Sequence, residues 1–156
     1  GGIFTNGLSS AISELAFAFT GEQWRAGNSS DDGLVFQYLV GATDISEGTW
    51  MTFSALDFDP LVLSGNSALN GNLAANSKAI SSKITGLNIA AGQTFGFRWM
   101  DINSSGNDHG LAVDDLSISA MTAAVPEPAT WAMMLFGFGV IGSAMRRAKR
   151  TTVAFA

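Results

Sequence analysis

Cysteine is absent from the 156 residues of this chain, which excludes a disulfide framework, a thiolate zinc site and a cysteine nucleophile, but leaves the redox compartment open. Charge is also scarce: 13% of the residues are charged and 47% are hydrophobic, a composition that excludes an intrinsically disordered chain. Positive charge is in deficit, with a formal net charge of −5. No nucleic-acid partner is expected, because a surface that neutralises phosphates must be basic.

The few charges are distributed unevenly along the chain. Residues 1–128 contain all thirteen acidic residues and four basic ones, a net charge of −9. The other four basic residues lie close together near the C-terminus, and no acidic residue follows Glu127; these basic residues are Arg146, Arg147, Lys149 and Arg150. Residues 129–145, which lie between the two parts, carry no charge at all. So sharp a change in charge along the chain indicates that the uncharged segment lies in a different solvent from the residues on either side of it.

The uncharged segment predicts a single C-terminal transmembrane helix over residues 129–145. Its seventeen residues would reach about 25 Å as a helix, against a hydrocarbon core of about 30 Å, and long flanking arginine side chains can cover the difference. Basic residues stay on the cytoplasmic side, so residues 146–156 are expected to be a cytoplasmic tail and membrane stop, with residues 1–128 outside. The alternative is a buried core helix, but such a helix rarely lacks a polar face.

A linker, residues 123–128, precedes this segment. Pro126 and Pro128 remove two backbone donors, and Glu127 is held extended because it precedes a proline. The linker cannot continue a strand or helix, so it is predicted to be rigid, exposed and accessible to an enzyme.

The C-terminal pattern resembles the PEP-CTERM sorting signal in its PEPxxWA variant. The resemblance rests on Pro126-Glu127-Pro128, on Trp131-Ala132-Met133-Met134, on the glycine-rich apolar segment and on the basic run. It implies a Gram-negative bacterium, export through an N-terminal signal peptide, and an exosortase as partner. An exosortase is a membrane-embedded cysteine peptidase that recognises Pro-Glu-Pro and removes the segment that follows. The protein is then expected first at the cell membrane and afterwards on the outer surface or in the extracellular matrix.

Residues 1–122 show the pattern of an all-β module, with short runs of period-two alternation separated by Gly, Asn, Ser and Asp. The predicted strands are residues 15–20, 34–40, 50–55, 79–85, 94–100 and 111–119. This number and spacing favour a jelly-roll-like β-sandwich. Gly1 opens the chain without Met or a signal peptide, so a fragment or processed form, with a first strand missing, is expected.

In the last predicted strand the apolar positions change parity. Leu111 and Val113 share one face, whereas Leu116 and Ile118 share the other. A β-bulge near Asp114-Asp115 would reconcile them by adding one residue.

The acidic loop before this strand has the oxygen-rich composition that calcium prefers. Its candidate ligands are Asp101, Asn103, Asp108 and Asp114. The loop is not an EF-hand, because its twelfth position is Ala112 where a bidentate Glu is required. An Asx-rich hairpin loop whose side chains cap their own backbone is the commoner use of such residues, so calcium remains the alternative.

A second resemblance covers most of residues 14–119. It is to the β-sandwich modules common in PEP-CTERM proteins, which are also appended to some secreted bacterial nucleases, and it implies a lectin-like shape without naming a ligand. The segments that carry it are Thr20 to Arg25, Val35 to Tyr38, Leu69 to Asn76, Phe97 to Trp99 and Asp108 to Asp115.

Catalytic groups are sparse. His109 is the only histidine and no G-x-S-x-G elbow is present, so the chain is interpreted as non-enzymatic. Trp24, in a polar, glycine-bounded segment, is the candidate for stacking on a sugar ring, while Trp50, Phe97 and Trp99 are assigned to the core.

The leading interpretation is therefore a non-catalytic exported protein sorted by an exosortase. One alternative is a carbohydrate- or calcium-binding module acting on exopolysaccharide. The other is an accessory domain of a larger secreted hydrolase or nuclease.

Overall fold

The computed structural model describes residues 1–29, 31–102, 105–122 and 128–148. The chain divides into two compact units, residues 1–123 and 124–156. The first is built from strands, and the second contains a helix.

Two antiparallel sheets make up the first unit. Their strands are β1 (Gly2–Thr5), β2 (Ile12–Arg25), β3 (Leu34–Val40), β4 (Met51–Thr52), β5 (Ser77–Ile89), β6 (Thr94–Asp101) and β7 (Gly110–Thr122). One sheet has the order β1-β6-β3-β4 and the other β5-β2-β7. This mostly β architecture of two antiparallel sheets is compatible with the predicted β-sandwich.

Aromatic side chains from both sheets form the centre of the core. Phe17 of β2 meets Phe36 of β3 and Phe97 of β6 edge-on, with ring centroids 5.1 and 5.4 Å apart. Phe19 meets Trp99 in the same way at 5.0 Å. Edge-to-face pairs at these distances are favourable beyond the area they bury. The alternation of Phe17 with Phe19 and of Phe97 with Trp99 therefore has the predicted cause: these side chains point into the space between the sheets.

The predicted strand at residues 50–55 is wrong over most of its length. Only Met51–Thr52 pairs with β3, and Ser54–Leu56 forms a 3-10 turn. The turn buries Leu56 completely, and the Leu56 carbonyl accepts a hydrogen bond from the Trp99 indole. The burial of Leu56 in this turn thus outweighs the alternating pattern that predicted a strand over residues 50–55. Trp50 is not a core residue either; it is partly exposed and stacks against the Arg98 guanidinium, which lies 4.4 Å from its ring centroid.

The predicted bulge in β7 is confirmed. Ala18 pairs with Ser117 but Thr20 pairs with Asp114, so β7 uses one residue more than β2 over this interval. Asp115 adopts the left-handed conformation, with φ of 52°. Because of the extra residue, Val113 and Ile118 both pack against the core despite their opposite parity.

The second unit contains the helix α1 (Pro128–Ala148). Pro128 suits the first helical position, where its missing N–H is not needed. In the described part of the chain, no helix combines the length and the apolarity that crossing a membrane requires. A helix was predicted over residues 129–145 and α1 covers them, but α1 does not qualify as the transmembrane span that was predicted there.

Candidate functional site

The loops at one end of the sheets meet around a buried glutamine and histidine. Gln23, at the end of β2, is completely buried. Its side-chain oxygen accepts the backbone N–H groups of Leu61 and Val62 at 2.9 and 2.7 Å, and its amide nitrogen donates to the Val62 carbonyl at 2.8 Å. Gln23 therefore links residues 61–62 to the end of β2. Its side chain makes the hydrogen bonds that these backbone groups would otherwise make with water.

His109 lies beside Gln23 and also holds loop segments together through hydrogen bonds to the backbone. The Gly27 N–H donates to His109 Nδ1 at 2.8 Å, so Nδ1 is an acceptor and the ring proton is on Nε2, which faces the Ser29 carbonyl at 3.2 Å. The Gln23 amide approaches the same Nδ1 at 2.9 Å. With 6% of its surface exposed and both ring nitrogens engaged, His109 has no free lone pair for a substrate proton.

The segments that carry Gly27 and Asp108 are in backbone contact. The Asn28 N–H donates to the Asn107 carbonyl at 2.9 Å, and the Asn28 side-chain oxygen accepts the Asn107 N–H at 2.8 Å. A Cβ at position 27 would lie 2.1 Å from the Asn107 carbonyl oxygen, so only glycine allows this approach. The contact holds the two loops in a fixed relation.

Two carboxylates at this loop contact each have one oxygen without a hydrogen-bond partner among the described residues. Asp32 is 6% exposed, and its Oδ2 accepts the His109 backbone N–H. Its other oxygen, Oδ1, and Oδ1 of Asp108 are buried and accept no hydrogen bond within the described residues. Glu14 also has a buried oxygen without a hydrogen bond, but Lys83 Nζ lies 2.8 Å from it and balances its charge. Across the described part of the first unit, Asp32 and Asp108 have no such cation.

Asp101 adds a third negative charge to the same end. Loss of water around its carboxyl raises the pKa of Asp101 above its ordinary value, and the charges of Asp32 and Asp108 raise it further. Asp101 pairs with Leu34 across β3 and β6, which places it at the same end of this sheet as Asp32.

The predicted calcium ligands do not assemble as expected. Among the described residues no three His, Asp or Glu side chains form a group that could hold a metal ion by themselves. Asp114 lies in β7 opposite Thr20, and its Oδ1 accepts the Asp115 N–H at the bulge. Asn103 falls outside the described residues. Of the predicted set, Asp108 directly precedes His109, whose backbone N–H donates to Asp32, and Asp101 lies opposite Leu34 at the end of β6. The sequence analysis did not select Asp32.

Trp24 lies on the neighbouring surface and is 43% exposed. Its indole N–H donates to Glu22 at 2.9 Å, and a Cβ at Gly71 would lie 2.5 Å from the indole nitrogen. The hydrogen bond and the glycine contact fix the plane of the ring and leave part of it open to solvent.

The residues of the predicted sorting signal fall in and around α1. Pro126, Glu127, Lys149 and Arg150 are outside the described residues, whereas Pro128 begins α1 and Arg147 lies within it. Trp131 is in the first turns of the helix and is 55% exposed. The apolar side chains that follow it are exposed as well, among them Leu135 at 70% and Phe136 at 72%.

Gln23 and Asp32 are the residues at this end that sequence reasoning missed. Gln23 lies beside Glu22, which is buried as well, and Asp32 lies beside the exposed Asp31. The sequence does not tell which of these polar side chains are buried. The one signal was Gly33 directly after Asp32, since the glycine precedes a strand and lets the chain pass close to Asp59.

Comparison with known proteins concerns the C-terminal unit. No match was found among curated proteins or among solved structures. Residues 124–150 match the PEP-CTERM protein-sorting motif, which contains the Pro-Glu-Pro tripeptide, the helix and the basic run. The chain therefore carries a PEP-CTERM sorting signal at residues 124–150, downstream of a strand-rich unit.

Proposed function

We propose that this protein is a non-catalytic surface or extracellular-matrix protein, exported and then sorted and processed by an exosortase. The observation that carries the proposal is the match of residues 124–150 to the PEP-CTERM motif, whose signals are recognised by exosortases, which are membrane proteins. In this proposal Pro126, Glu127, Pro128 and Trp131 form the recognition site.

The state of His109 supports a non-catalytic role. The ring is buried and its acceptor nitrogen is occupied by a backbone N–H, so it is not available as a general base. As the only histidine of the chain, it is engaged in holding loops together.

The character of α1 supports engagement with an exosortase at the membrane. Its exposed side chains are almost all apolar, and a helix with this composition is usually covered by protein or lipid. The basic residues after it would interact with anionic headgroups, so that the segment holds the protein at the membrane until it is processed.

Removal of residues 126–156 tests this proposal in the producing cell. We expect the full chain to pass through the membrane fraction to the cell surface, and the shortened chain to be distributed differently while its β unit stays soluble. A Thr130→Ala chain, which keeps Pro-Glu-Pro and Trp131, serves as the control and is expected to behave as the full chain. Identical fractionation of the full and shortened chains would contradict the proposal.

Carbohydrate binding at Trp24 is a second candidate function, with exopolysaccharide as the ligand class and a lectin-like jelly-roll shape for the β unit. The observation that favours it is the exposure of Trp24 together with the fixed plane of its ring. A rigid, half-exposed indole loses little entropy when a sugar ring stacks on it.

Co-sedimentation with polysaccharide extracted from the producing cell tests this second function. Trp24→Ala is expected to weaken binding about tenfold, the scale of one lost stacking contact. Trp50→Ala is the control, because it removes another partly exposed indole that stacks on Arg98. Equal binding by wild type and Trp24→Ala would exclude this surface.

A further inference from the structure

We propose that the β unit binds a calcium ion between the loops that carry Asp32 and Asp108, with the buried Oδ1 atoms of these two residues as its side-chain ligands. This site is independent of the sorting signal and of the Trp24 surface.

The first argument is the pair of oxygens without partners. Buried carboxylate oxygens nearly always accept hydrogen bonds, because leaving one unsatisfied away from water is costly. Asp32 Oδ1 and Asp108 Oδ1 accept none from the described residues, and Asp32 as a whole is 6% exposed. An ion at this position would satisfy both oxygens at once.

The second argument is the uncompensated charge. Asp32 Oδ2 accepts the backbone N–H of His109, which directly follows Asp108, so the two carboxylates lie on adjoining loops. Among the described residues, no basic side chain forms an ion pair with either of them. Two negative charges on adjoining loops, without an ion-pair partner among the described residues, repel each other. A divalent cation removes that repulsion.

The third argument is that the position of Asp32 and Asp108 is built by the fold. Asp32 Oδ2 is fixed by the His109 backbone N–H, directly next to Asp108. The Asn28 hydrogen bonds to Asn107 and the close approach at Gly27 hold both loops in place. The two carboxylates therefore do not depend on flexible side chains to meet.

Calcium fits this donor set better than magnesium or zinc. Structural zinc sites in proteins are built mainly from Cys and His ligands, and His109, the histidine next to Asp108, already has both ring nitrogens engaged. Magnesium demands near-ideal octahedral geometry, whereas calcium accepts six to eight oxygens from carboxylates, backbone carbonyls and water in flexible arrangements. Two buried carboxylate oxygens, together with carbonyls and water, satisfy calcium without the three-carboxylate group that the described residues lack.

Thermal unfolding and calorimetric titration of the full chain test the proposal. In chelator-treated protein we expect calcium to bind with a dissociation constant of roughly 0.1–1 mM, the range of extracellular calcium modules. At calcium about a hundredfold above that constant, the Tm is expected to rise by roughly 10 °C, whereas magnesium at the same concentration produces a much smaller rise. Sodium chloride of matched ionic strength corrects for simple charge screening.

Two variants and two controls locate the ion. Asp32→Asn and Asp108→Asn are each expected to weaken calcium binding at least tenfold. Asp31→Asn and Asp114→Asn remove neighbouring carboxylates of the same charge and are expected to bind as the wild type does. If Asp32→Asn does not fold, Asp108→Asn and the wild-type titration still decide.

Three results would overturn the proposal. They are the absence of both binding heat and Tm shift at about 10 mM calcium, well above the expected range, unchanged affinity in Asp108→Asn, and equal loss of affinity in Asp31→Asn and Asp32→Asn.

Discussion

At the scale of single residues, the loop end of the β unit depends on polar side chains that are buried because they replace backbone partners. Gln23 is completely buried and binds the backbone of Leu61 and Val62, while His109 Nδ1 accepts the Gly27 N–H. These segments lack regular strand pairing, so a side chain supplies the hydrogen bonds that a neighbouring strand would provide. At this end of the β unit, buried polar side chains therefore mark loop segments whose backbone lacks a strand partner.

Replacement of Gln23 by leucine tests this reasoning. Gln23→Leu keeps a similar volume but leaves the N–H groups of Leu61 and Val62 without their acceptor, so the free energy of unfolding is expected to fall by about 3 kcal/mol. Urea unfolding monitored by tryptophan fluorescence measures it.

Gln93→Leu is the matched control, because the Gln93 side-chain oxygen accepts only the exposed Ala90 N–H. Its effect is expected to stay below about 1 kcal/mol. Comparable losses in the two variants would contradict the structural role assigned to Gln23.

At the scale of elements, strand β7 shows how an irregularity can be inferred from parity alone. Leu111 and Val113 require one face and Ile118 requires the other, and an inserted residue is the smallest change that lets all three reach the core. The structure places the irregularity at Asp115, whose φ is 52°. Asp tolerates this left-handed conformation better than β-branched residues do.

Substitution at Asp115 tests the bulge. Asp115→Val is expected to lower the free energy of unfolding by about 1–2 kcal/mol, because a β-branched side chain is strained at positive φ. Asp115→Gly is expected to stay within about 0.5 kcal/mol of the wild type, since glycine adopts this conformation freely.

Ser119→Val provides the comparison at a regular, exposed position of β7, where valine favours the strand. Equal free energies of unfolding for Asp115→Val and Ser119→Val would contradict the left-handed backbone conformation of Asp115.

The sequence located the long strands but not their ends, since residues 15–20 and 79–85 were predicted where β2 spans Ile12–Arg25 and β5 spans Ser77–Ile89. Large side chains make the alternation in β2 and β6 visible. Phe17 and Phe19 in β2, and Phe95 and Phe97 in β6, made the inward face evident. Strand β1 was missed because its four residues, with Ile3 and Phe4 both exposed, show no alternation. In β4, backbone pairing extends over two residues only, and no periodicity can be detected at that length.

The candidate site was predictable only in part. Its acidic loop was evident from Asp101 and Asp108, but Asp32 comes from a loop about seventy residues earlier in the chain. Whether distant loops meet depends on strand register, here the pairing of Leu34 with Asp101, and the sequence did not supply that pairing.

At the scale of the whole molecule, the net charge of −5 is the sum over two units with different roles, the strand-rich unit and the C-terminal unit. The buried core residues all lie between Ile12 and Phe97, within the first unit, and the sorting motif lies in the second. The first unit therefore has the interior that an independently folding domain requires.

Unfolding of a chain ending at residue 123 tests that independence. Its Tm is expected to agree with that of the full chain within about 2 °C, because no core residue is removed. Circular dichroism during heating measures both, and a chain ending at Asp101 is the control that lacks β7 and is expected not to fold. A large loss of Tm on removing residues 124–156 alone would show that the second unit stabilises the first.

The intact mass of the protein recovered outside a producing cell that contains an exosortase tests the sorting account most directly. We predict a mass that lacks the residues following the Pro-Glu-Pro motif. With Pro126, Glu127 and Pro128 all replaced by alanine, we predict that the chain keeps its residues through Ala156 and remains with the membrane fraction. Recovery of wild-type protein outside the cell with its C-terminus intact, or equal processing of the alanine variant, would contradict the account.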